Sequence, residues 1–231
     1  MKVPGIIAKW LFALCVPFML LTAGLAVAAN SLWLYERGFE KYGVSQVTGL
    51  SDTELTRAAT GLIHYFNSSE KYISVTVTKD GRPFELFNQR EIDHLYDVKK
   101  LIRLDYIVLA GTLVYILAYA AISLFWRRRR YWRHLAQAMV GGSSLTLALM
   151  LLLGLGAWLD FDWLFWQFHL LSFANDLWLL DPTRDYLIML VPQGFFYDDA
   201  IFVVVFTALG ALVLGGIAAW YLFSLRKKLG Q

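Results

Sequence analysis

Four long runs of apolar residues are the strongest constraint that this sequence places on its fold. They occupy residues 6–29, 106–126, 136–159 and 200–225. Each is long enough to cross a bilayer as a helix, which needs about 20 apolar residues. Backbone N–H and C=O groups find no water in lipid, so each run must satisfy them internally, and a helix does this. The sequence therefore predicts four transmembrane helices.

The composition supports a membrane protein. Hydrophobic residues make up 58% of the chain, against roughly 45–50% in soluble globular domains, and lipid accounts for the excess. The first run ends in Ala-Val-Ala at 26–28, which resembles a signal-peptide cleavage site. Its apolar stretch is longer than the core of a typical signal peptide, so a retained anchor is the favoured interpretation.

Charged residues are divided unevenly between the two ends of the apolar runs. Basic residues without any acid occur in 2–9, in 127–133 (RRRRYWR) and in 226–228, whereas all 18 Asp and Glu residues lie in 30–105 or 160–199. The positive-inside rule then predicts both termini in the cytoplasm and both acidic segments outside. The same rule explains the arginine run better than nucleic-acid binding does, because the run lies in a short loop between two spans.

These features predict a mainly α, polytopic membrane protein of four transmembrane helices. A small extracytoplasmic α+β domain is expected between spans 1 and 2, and an interfacial helical segment between spans 3 and 4. The predicted segments are transmembrane helix 1 (1–29), the extracytoplasmic domain (30–105), transmembrane helix 2 (106–126), the basic cytoplasmic loop (127–135), transmembrane helix 3 (136–159), the extracytoplasmic interfacial segment (160–199), and transmembrane helix 4 with a basic cytoplasmic tail (200–231).

The first outer segment carries signals for both helix and strand. Residues 51–54 (SDTE) form a capping box ahead of an amphipathic helix. Residues 72–78 (YISVTVT) alternate and are rich in β-branched side chains, so we expect a strand, with a turn at 79–82 and a returning strand at 83–87. A second cap at 88–91 opens a helix that we expect to continue directly into span 2.

The second outer segment is dominated by aromatic residues. Trp and Phe residues crowd into 163–178, and such rings favour the boundary between membrane and water. We therefore expect this segment to lie along the outer leaflet. Asp181 is predicted as the N-cap of a short helix with Pro182 in its first turn. Residues 192–194 (PQG) are expected to break that helix before span 4.

Two histidines in the outer segments are candidate catalytic residues, because the usual soluble-enzyme motifs are missing. His94 and Asp97 are three apart on a predicted helix, where a carboxylate can orient one ring nitrogen and leave the other as a base. His169 lies among aromatic residues near lipid, with Asn175 and Asp176 as polar neighbours. The alternatives are a solvated histidine at position 94 and a backbone-satisfied one at position 169.

The other two histidines are weaker candidates. His64 lies beside the apolar face of the first outer helix and is interpreted as structural, and His134 follows the cytoplasmic arginine run. No metal site and no cofactor are predicted.

Short motifs in both outer segments give the chain a family resemblance. They are 94–99 (HLYDVK), 168–169 (FH) followed by 175–178 (NDLW), 180–182 (LDP) and 192–196 (PQGFF). In order and in their four-span setting, these motifs resemble the bacterial lipoprotein intramolecular transacylase family, called Lit. The resemblance covers nearly the whole chain, although residues 30–50 match no motif of that family.

The resemblance implies an acyltransferase of the bacterial cell membrane. Its substrate would be a diacylated lipoprotein, whose sn-2 acyl chain moves from the diacylglyceryl-cysteine to the α-amino group and leaves the lyso-form. The family's histidine pair falls on His94 and His169. We expect His169 to be the principal base and His94 to relay a proton or polarise the carbonyl. Membrane phospholipid is the expected surrounding, no nucleic acid is bound, and the protein is expected to be a monomer.

Two other functions fit the same residues. A non-enzymatic lipid- or lipoprotein-binding membrane factor would tolerate substitution of both histidines and would hold them far apart. A metal-dependent membrane hydrolase would need acidic residues within ligand distance of His94 and His169, about 2.0–2.2 Å from a zinc ion.

Overall fold

The computed structural model describes residues 3–126 and 130–229, and this part of the chain is mainly helical with one two-stranded sheet. The predicted basic residues Lys2 and 127–129 lie outside the described residues. The elements are α1 (Val3–Asn30), α2 (Leu32–Lys41), α3 (Val44–Thr48), α4 (Asp52–Asn67), β1 (Thr76–Lys79), β2 (Arg82–Glu85), α5 (Gln89–Ala121), α6 (Arg130–Leu159), α7 (Phe161–Ser172), α8 (Tyr186–Leu190) and α9 (Gln193–Leu229).

Four of these helices are long and apolar enough to cross a membrane, as the sequence predicts. Among the described residues, the candidate spans are Gly5–Asn30, Gln89–Phe125, Tyr131–Leu159 and Gln193–Lys227. The mainly helical class with four candidate spans is therefore confirmed. Which side of the membrane each loop faces stays a prediction.

Helix α5 is continuous from its cap into its apolar part. The Asn88 N–H donates to Glu91 Oε2 at 2.7 Å, and the Glu91 N–H donates to Asn88 Oδ1 at 3.2 Å. These reciprocal bonds form the predicted capping box. The helix then runs 33 residues without a break and ends in a π-helical stretch, Ile122–Trp126. The prediction that this helix enters span 2 directly is correct.

The described chain divides into two compact units, of which unit 1 comprises 3–25, 105–126, 130–155 and 202–229. Close helix packing inside unit 1 depends on small residues. A Cβ at Gly142 would lie 2.7 Å from the carbonyl oxygen of Ala13, too close for any side chain. At Gly142, the absence of a side chain therefore lets the backbones of α6 and α1 approach each other closely.

Unit 2 comprises 26–104 and 156–201 and contains the sheet and the shorter helices. Its core includes Leu62 and Tyr65 on the buried face of α4. Ser51 caps α4 by accepting a hydrogen bond from the Glu54 N–H at 3.4 Å. The Glu54 carboxylate does not complete the predicted capping box. It accepts hydrogen bonds at 2.9 Å from Arg57 and from the backbone N–H of residue 78 instead.

The predicted hairpin forms, but with shorter strands than the residue pattern indicates. Strands β1 and β2 pair antiparallel from Thr76↔Glu85 to Lys79↔Arg82. Asp80 and Gly81 form the turn with φ of 52° and 74°, the left-handed pair that a two-residue hairpin favours. Of the predicted strand 72–78, only residues 76–78 belong to β1, although the Leu86 N–H still donates to the carbonyl oxygen of Val75 at 2.9 Å. The Val75 side chain packs on Gly61 of α4.

The predicted helix start at Asp181 is wrong. The Asp181 carboxylate accepts bonds from the Thr183 N–H and hydroxyl at 2.9 and 2.7 Å, which closes a tight turn over 181–184. Helix α8 therefore begins only at Tyr186, with Asp185 in the N-cap position. The break predicted at 192–194 is present, but α9 already starts at Gln193.

Candidate active site

His94 lies in the second turn of α5 and is buried in unit 2. Only 6% of the residue is exposed, and the ring packs edge-on against Phe173 with 5.0 Å between ring centroids. Among the described residues, no group forms a hydrogen bond with its buried Nδ1 atom. Buried polar atoms are nearly always paired. This nitrogen therefore retains an unused capacity to bind a polar group that enters the site.

His169 lies in the last turn of α7, and one of its ring nitrogens forms a hydrogen bond with the backbone of the same helix. Its Nδ1 lies 2.7 Å from the carbonyl oxygen of Phe165, one turn back. A carbonyl only accepts, so Nδ1 carries the hydrogen, and in the neutral ring Nε2 bears the lone pair. Burial lowers the pKa of His169 below its ordinary value, although the Phe165 bond works in the opposite direction. The neutral ring is thus an available base near neutral pH.

The two imidazoles are brought together from segments 75 positions apart in the sequence. Their ring centroids are 6.3 Å apart and the ring planes are inclined by 28°. His169, like His94, is almost fully buried, with 7% of its surface exposed. At this separation, both rings can form hydrogen bonds of ordinary length, about 2.7–3.0 Å each, to atoms attached to the same tetrahedral carbon.

An aromatic cage surrounds His169. The ring centroids of Phe165, Trp178 and Phe168 lie 4.3, 4.8 and 5.3 Å from that of the imidazole. Trp166 packs edge-on against Trp178 at 4.8 Å and extends the cage. The cage excludes water from the imidazole and holds its ring plane. Position 169 thus combines a polar ring with an apolar environment, as the sequence pattern predicts.

The polar residues predicted near the histidines link the two segments instead of touching the rings. The Asp97 carboxylate accepts hydrogen bonds at 2.9 Å from Asn175 Nδ2 and from Lys100 Nζ. We expected Asp97 to orient His94, and its hydrogen bonds go to these partners instead. The backbone carbonyl of Asp176 accepts a hydrogen bond from Arg90 Nη2. Asp97, Asn175 and Asp176 therefore fasten α5 to the loop after α7.

Arg90 is a charged group of this site that sequence reasoning missed. It lies one helical turn before His94 on the same helix. Its buried Nε atom has no hydrogen-bond partner among the described residues. The available signal was the spacing of four residues, which puts Arg90 and His94 on the same face of a helix.

The remaining histidines make no ring contact with this pair among the described residues. His64 is on an exposed part of α4, and His134 lies in α6 of unit 1. Within residues 3–126 and 130–229, no group of three or more His, Cys, Asp and Glu side chains could hold a metal ion. The metal-dependent alternative thus lacks a visible ligand set in that part of the chain.

The fold and the site define a membrane-integral helical protein with a buried pair of histidines. A family model described as the lipoprotein intramolecular transacylase Lit matches residues 10–196. The chain therefore belongs to the lipoprotein intramolecular transacylase (Lit) family. The family name denotes an acyltransferase reaction on a lipoprotein and confirms the resemblance found in the sequence.

Solved structures of similar fold come from Bacillus cereus. The in meso structure of its membrane-integral lipoprotein intramolecular transacylase Lit has a TM-score of 0.78 at 18% identity, covering 96% of this chain and 97% of that one. A histidine-to-arginine variant of the same protein has a TM-score of 0.74 at 20% identity, covering 97% of this chain and 94% of that one. At this identity the likeness shows the fold alone. No curated protein sequence matches the chain.

Proposed function

We propose that the protein moves the sn-2 acyl chain of a diacylglyceryl-cysteine lipoprotein to the α-amino group of the same cysteine. The observation that carries this proposal is the pair of imidazole rings 6.3 Å apart, in which His169 offers Nε2 as an acceptor. An O-to-N transfer needs a base for the amine proton and an acid for the leaving oxygen, and a neutral imidazole serves as both in turn.

The transfer balances without water or a co-substrate. The amine nitrogen attacks the sn-2 carbonyl carbon, and a C–N bond forms as the carbonyl oxygen becomes an oxyanion. His169 Nε2 takes the proton that the nitrogen must lose. The imidazolium returns this proton to the sn-2 oxygen as the C–O bond breaks, which leaves an amide and a free hydroxyl. Amine and ester belong to one molecule, so holding them in attack geometry recovers most of the entropy that a bimolecular transfer loses.

His94 and Arg90 are suited to stabilise the oxyanion. His94 Nδ1 and Arg90 Nε are buried polar atoms that lack partners within the described chain. A pre-oriented donor aimed at developing charge in a dry site contributes more to catalysis than the same donor in water. In this role His94 polarises the carbonyl as an N–H donor, while Arg90, fixed by the carbonyl of Asp176, supplies positive charge.

Helix α7 offers an apolar surface for the acyl chains. While His169 is buried, Trp163, Phe168 and Leu171 of the same helix are 58%, 54% and 86% exposed. Exposed apolar area of this kind is typical of a surface that contacts lipid. We infer that the acyl chains run along these side chains, so that the ester reaches His169 from the lipid side.

The side of the membrane is part of the proposal. The positive-inside distribution supports cytoplasmic termini and a site at the outer leaflet, where a lipoprotein carries its diacylglyceryl group after export. Attachment of a membrane-impermeant thiol reagent to a cysteine introduced at Arg82, which is exposed next to the turn of the hairpin, tests this in intact cells. Labelling supports the outer location, and protection of this cysteine until the cells are lysed contradicts it.

The reaction is tested with a synthetic diacylglyceryl-cysteine lipopeptide and the purified protein in liposomes. Intramolecular transfer leaves the mass unchanged, so the readout is loss of the reactive primary amine and an N-terminal fragment ion heavier by one acyl chain. An α-N-acetylated lipopeptide serves as the matched control, because its nitrogen cannot attack.

A mixture of two lipopeptides that differ in acyl length distinguishes the reaction class. Intramolecular transfer gives no exchange of chains between the peptides. Release of free fatty acid would identify a hydrolase instead, and binding without any chemical change would identify the non-enzymatic lipoprotein-binding factor.

A further inference from the structure

A recess of about 190 Å³ in unit 2 is lined by a concentration of positive charge. Its walls carry Lys71, Lys99, Lys100 and Arg103, against one exposed carboxylate, that of Glu70. The histidine pair does not use these residues. A volume of this size holds about six water molecules, at roughly 30 Å³ each, which is enough for a phosphate group with part of its substituents.

Lys99 is the unusual member of the recess, because only 2% of it is exposed. Its Nζ donates to the carbonyl oxygen of Glu70 at 2.7 Å and to Ser68 Oγ at 3.2 Å, and lies 3.9 Å from the ring centroid of Tyr65. Buried ammonium groups normally pair with an anion. Within the described chain no carboxylate lies within ion-pair distance of Lys99. Its direct contacts are neutral groups, and the Glu70 carboxylate acts on it only from a greater distance.

The other cations are held in fixed positions around the recess. Lys100 Nζ lies 4.0 Å from the ring centroid of Tyr96, and Lys71 Nζ lies 4.8 Å from that of Tyr72. Arg103 donates to a backbone carbonyl at 3.1 Å. An aromatic face orients Lys71 and a backbone carbonyl orients Arg103 without neutralising either charge, whereas Lys100 is also ion-paired with Asp97 at 2.9 Å. An entering anion therefore meets cations whose conformational freedom is already restricted.

The position of the recess along α5 indicates which anion it meets. Arg103 and Lys99 precede Tyr106, where the apolar run begins, by three and seven residues. At 1.5 Å per residue these cations lie about 4.5 and 10.5 Å along the helix from that run. The headgroup layer on each side of the hydrocarbon core is about 5–8 Å thick, so Arg103 lies at the depth of this layer and Lys99 lies just beyond its outer edge. We propose that this recess binds the phosphodiester of an anionic membrane phospholipid.

The proposal is independent of acyl transfer, and its test uses the full chain in detergent. The purified protein is titrated with dioleoylphosphatidylglycerol, with inorganic phosphate and with dioleoylglycerol, and the thermal unfolding midpoint is followed. Native mass spectrometry records the bound lipid. At a hundredfold excess over the Kd, phosphatidylglycerol is expected to raise the midpoint by about 5–10 °C.

Two charge-matched double variants identify the site. Replacing Lys71→Gln together with Arg103→Gln removes two exposed cations of the recess and should reduce the phosphatidylglycerol shift to about 1 °C or less. Replacing Arg37→Gln together with Arg82→Gln removes two exposed cations elsewhere in unit 2 and should leave the shift unchanged.

Three results would overturn the assignment. An equal shift with inorganic phosphate would indicate a site for small anions without lipid specificity. An equal shift with dioleoylglycerol would indicate that the acyl chains, not the phosphate, provide the binding. An undiminished shift in the Lys71/Arg103 double variant would exclude the recess as the place of binding.

Discussion

Replacing Glu91 by glutamine should destabilise unit 2 strongly, even though glutamine has the same shape. Glu91 is fully buried. Its Oε1 accepts the Leu187 N–H of α8 at 2.6 Å, and its Oε2 accepts the Asn88 N–H at the start of α5 at 2.7 Å. Both oxygens therefore act as acceptors for backbone donors that cannot rotate. A carboxamide has one oxygen, so its NH₂ group must face one of these N–H groups.

The expected cost follows from these two bonds. A hydrogen bond to a charged group contributes about 1.5–3 kcal/mol, and a buried donor left without an acceptor costs about 1–3 kcal/mol. Glu91→Gln loses one charged bond, weakens the other and leaves one N–H opposed by another donor. We therefore expect a loss of about 3–5 kcal/mol, close to that of Glu91→Ala. For a chain of this size, 1 kcal/mol corresponds to about 2–4 °C, so the unfolding midpoint should fall by about 10 °C.

The measurement is thermal unfolding in detergent, followed by tryptophan fluorescence, with Glu85→Gln as the matched control. Glu85 also accepts two hydrogen bonds, at 3.1 Å from Ser74 and 2.6 Å from Thr76. Its partners are hydroxyls, which can reverse donor and acceptor roles, and the residue is exposed. The control should shift the midpoint by less than about 2 °C. A Glu91→Gln midpoint as close to the parent as that of Glu85→Gln would refute the reasoning.

Three further predictions concern the reaction and use the lipopeptide assay. His169→Gln should lower the transfer rate about 10²–10⁴-fold, while His64→Gln, on an exposed part of α4, should not change it; an unaffected His169→Gln rate would remove His169 from the mechanism. Because burial lowers the pKa of His169, its ring is mostly neutral at pH 6.5 and is lost as a base only below that pH. The rate between pH 6.5 and 8 should then follow deprotonation of the substrate amine, whose pKa is about 7.7–8.0, and an enzyme-derived inflection at or above pH 6.5 would contradict this. Arg90→Gln should lower kcat about 10²–10³-fold with little change in KM, with partial rescue by Arg90→Lys; a change in KM alone would assign Arg90 to substrate binding.

The continuous α5 was predictable because its signals are local. A cap at Asn88 and Glu91, followed by a stretch without Gly or Pro as far as Gly111, defines one helix. The apolar runs were equally clear, since hydropathy depends on composition alone. The histidines stood out because a titratable ring in an apolar or juxtamembrane segment is costly without a role.

The contacts of the site were not predictable in the same way. Asp97 lies on the same helix as His94, so spacing suggested a pair, but its acceptor capacity is used by Asn175, 78 residues further along the chain. Tertiary packing decides which polar groups meet when they are so far apart in the sequence. A short stretch of sequence carries no information about that packing. The error at Asp181 has a related cause. Aspartate is favoured both in tight turns and at helix N-caps, so the residue type alone does not distinguish the two structures.

The bond from His169 to the carbonyl of Phe165 has an evolutionary consequence. In many enzymes a second side chain fixes the orientation of a histidine, and that partner must then be inherited along with it. Here the acceptor is main chain, which every amino acid supplies equally. Substitutions around the ring can therefore accumulate without disturbing which nitrogen is protonated, provided that the helical turn persists.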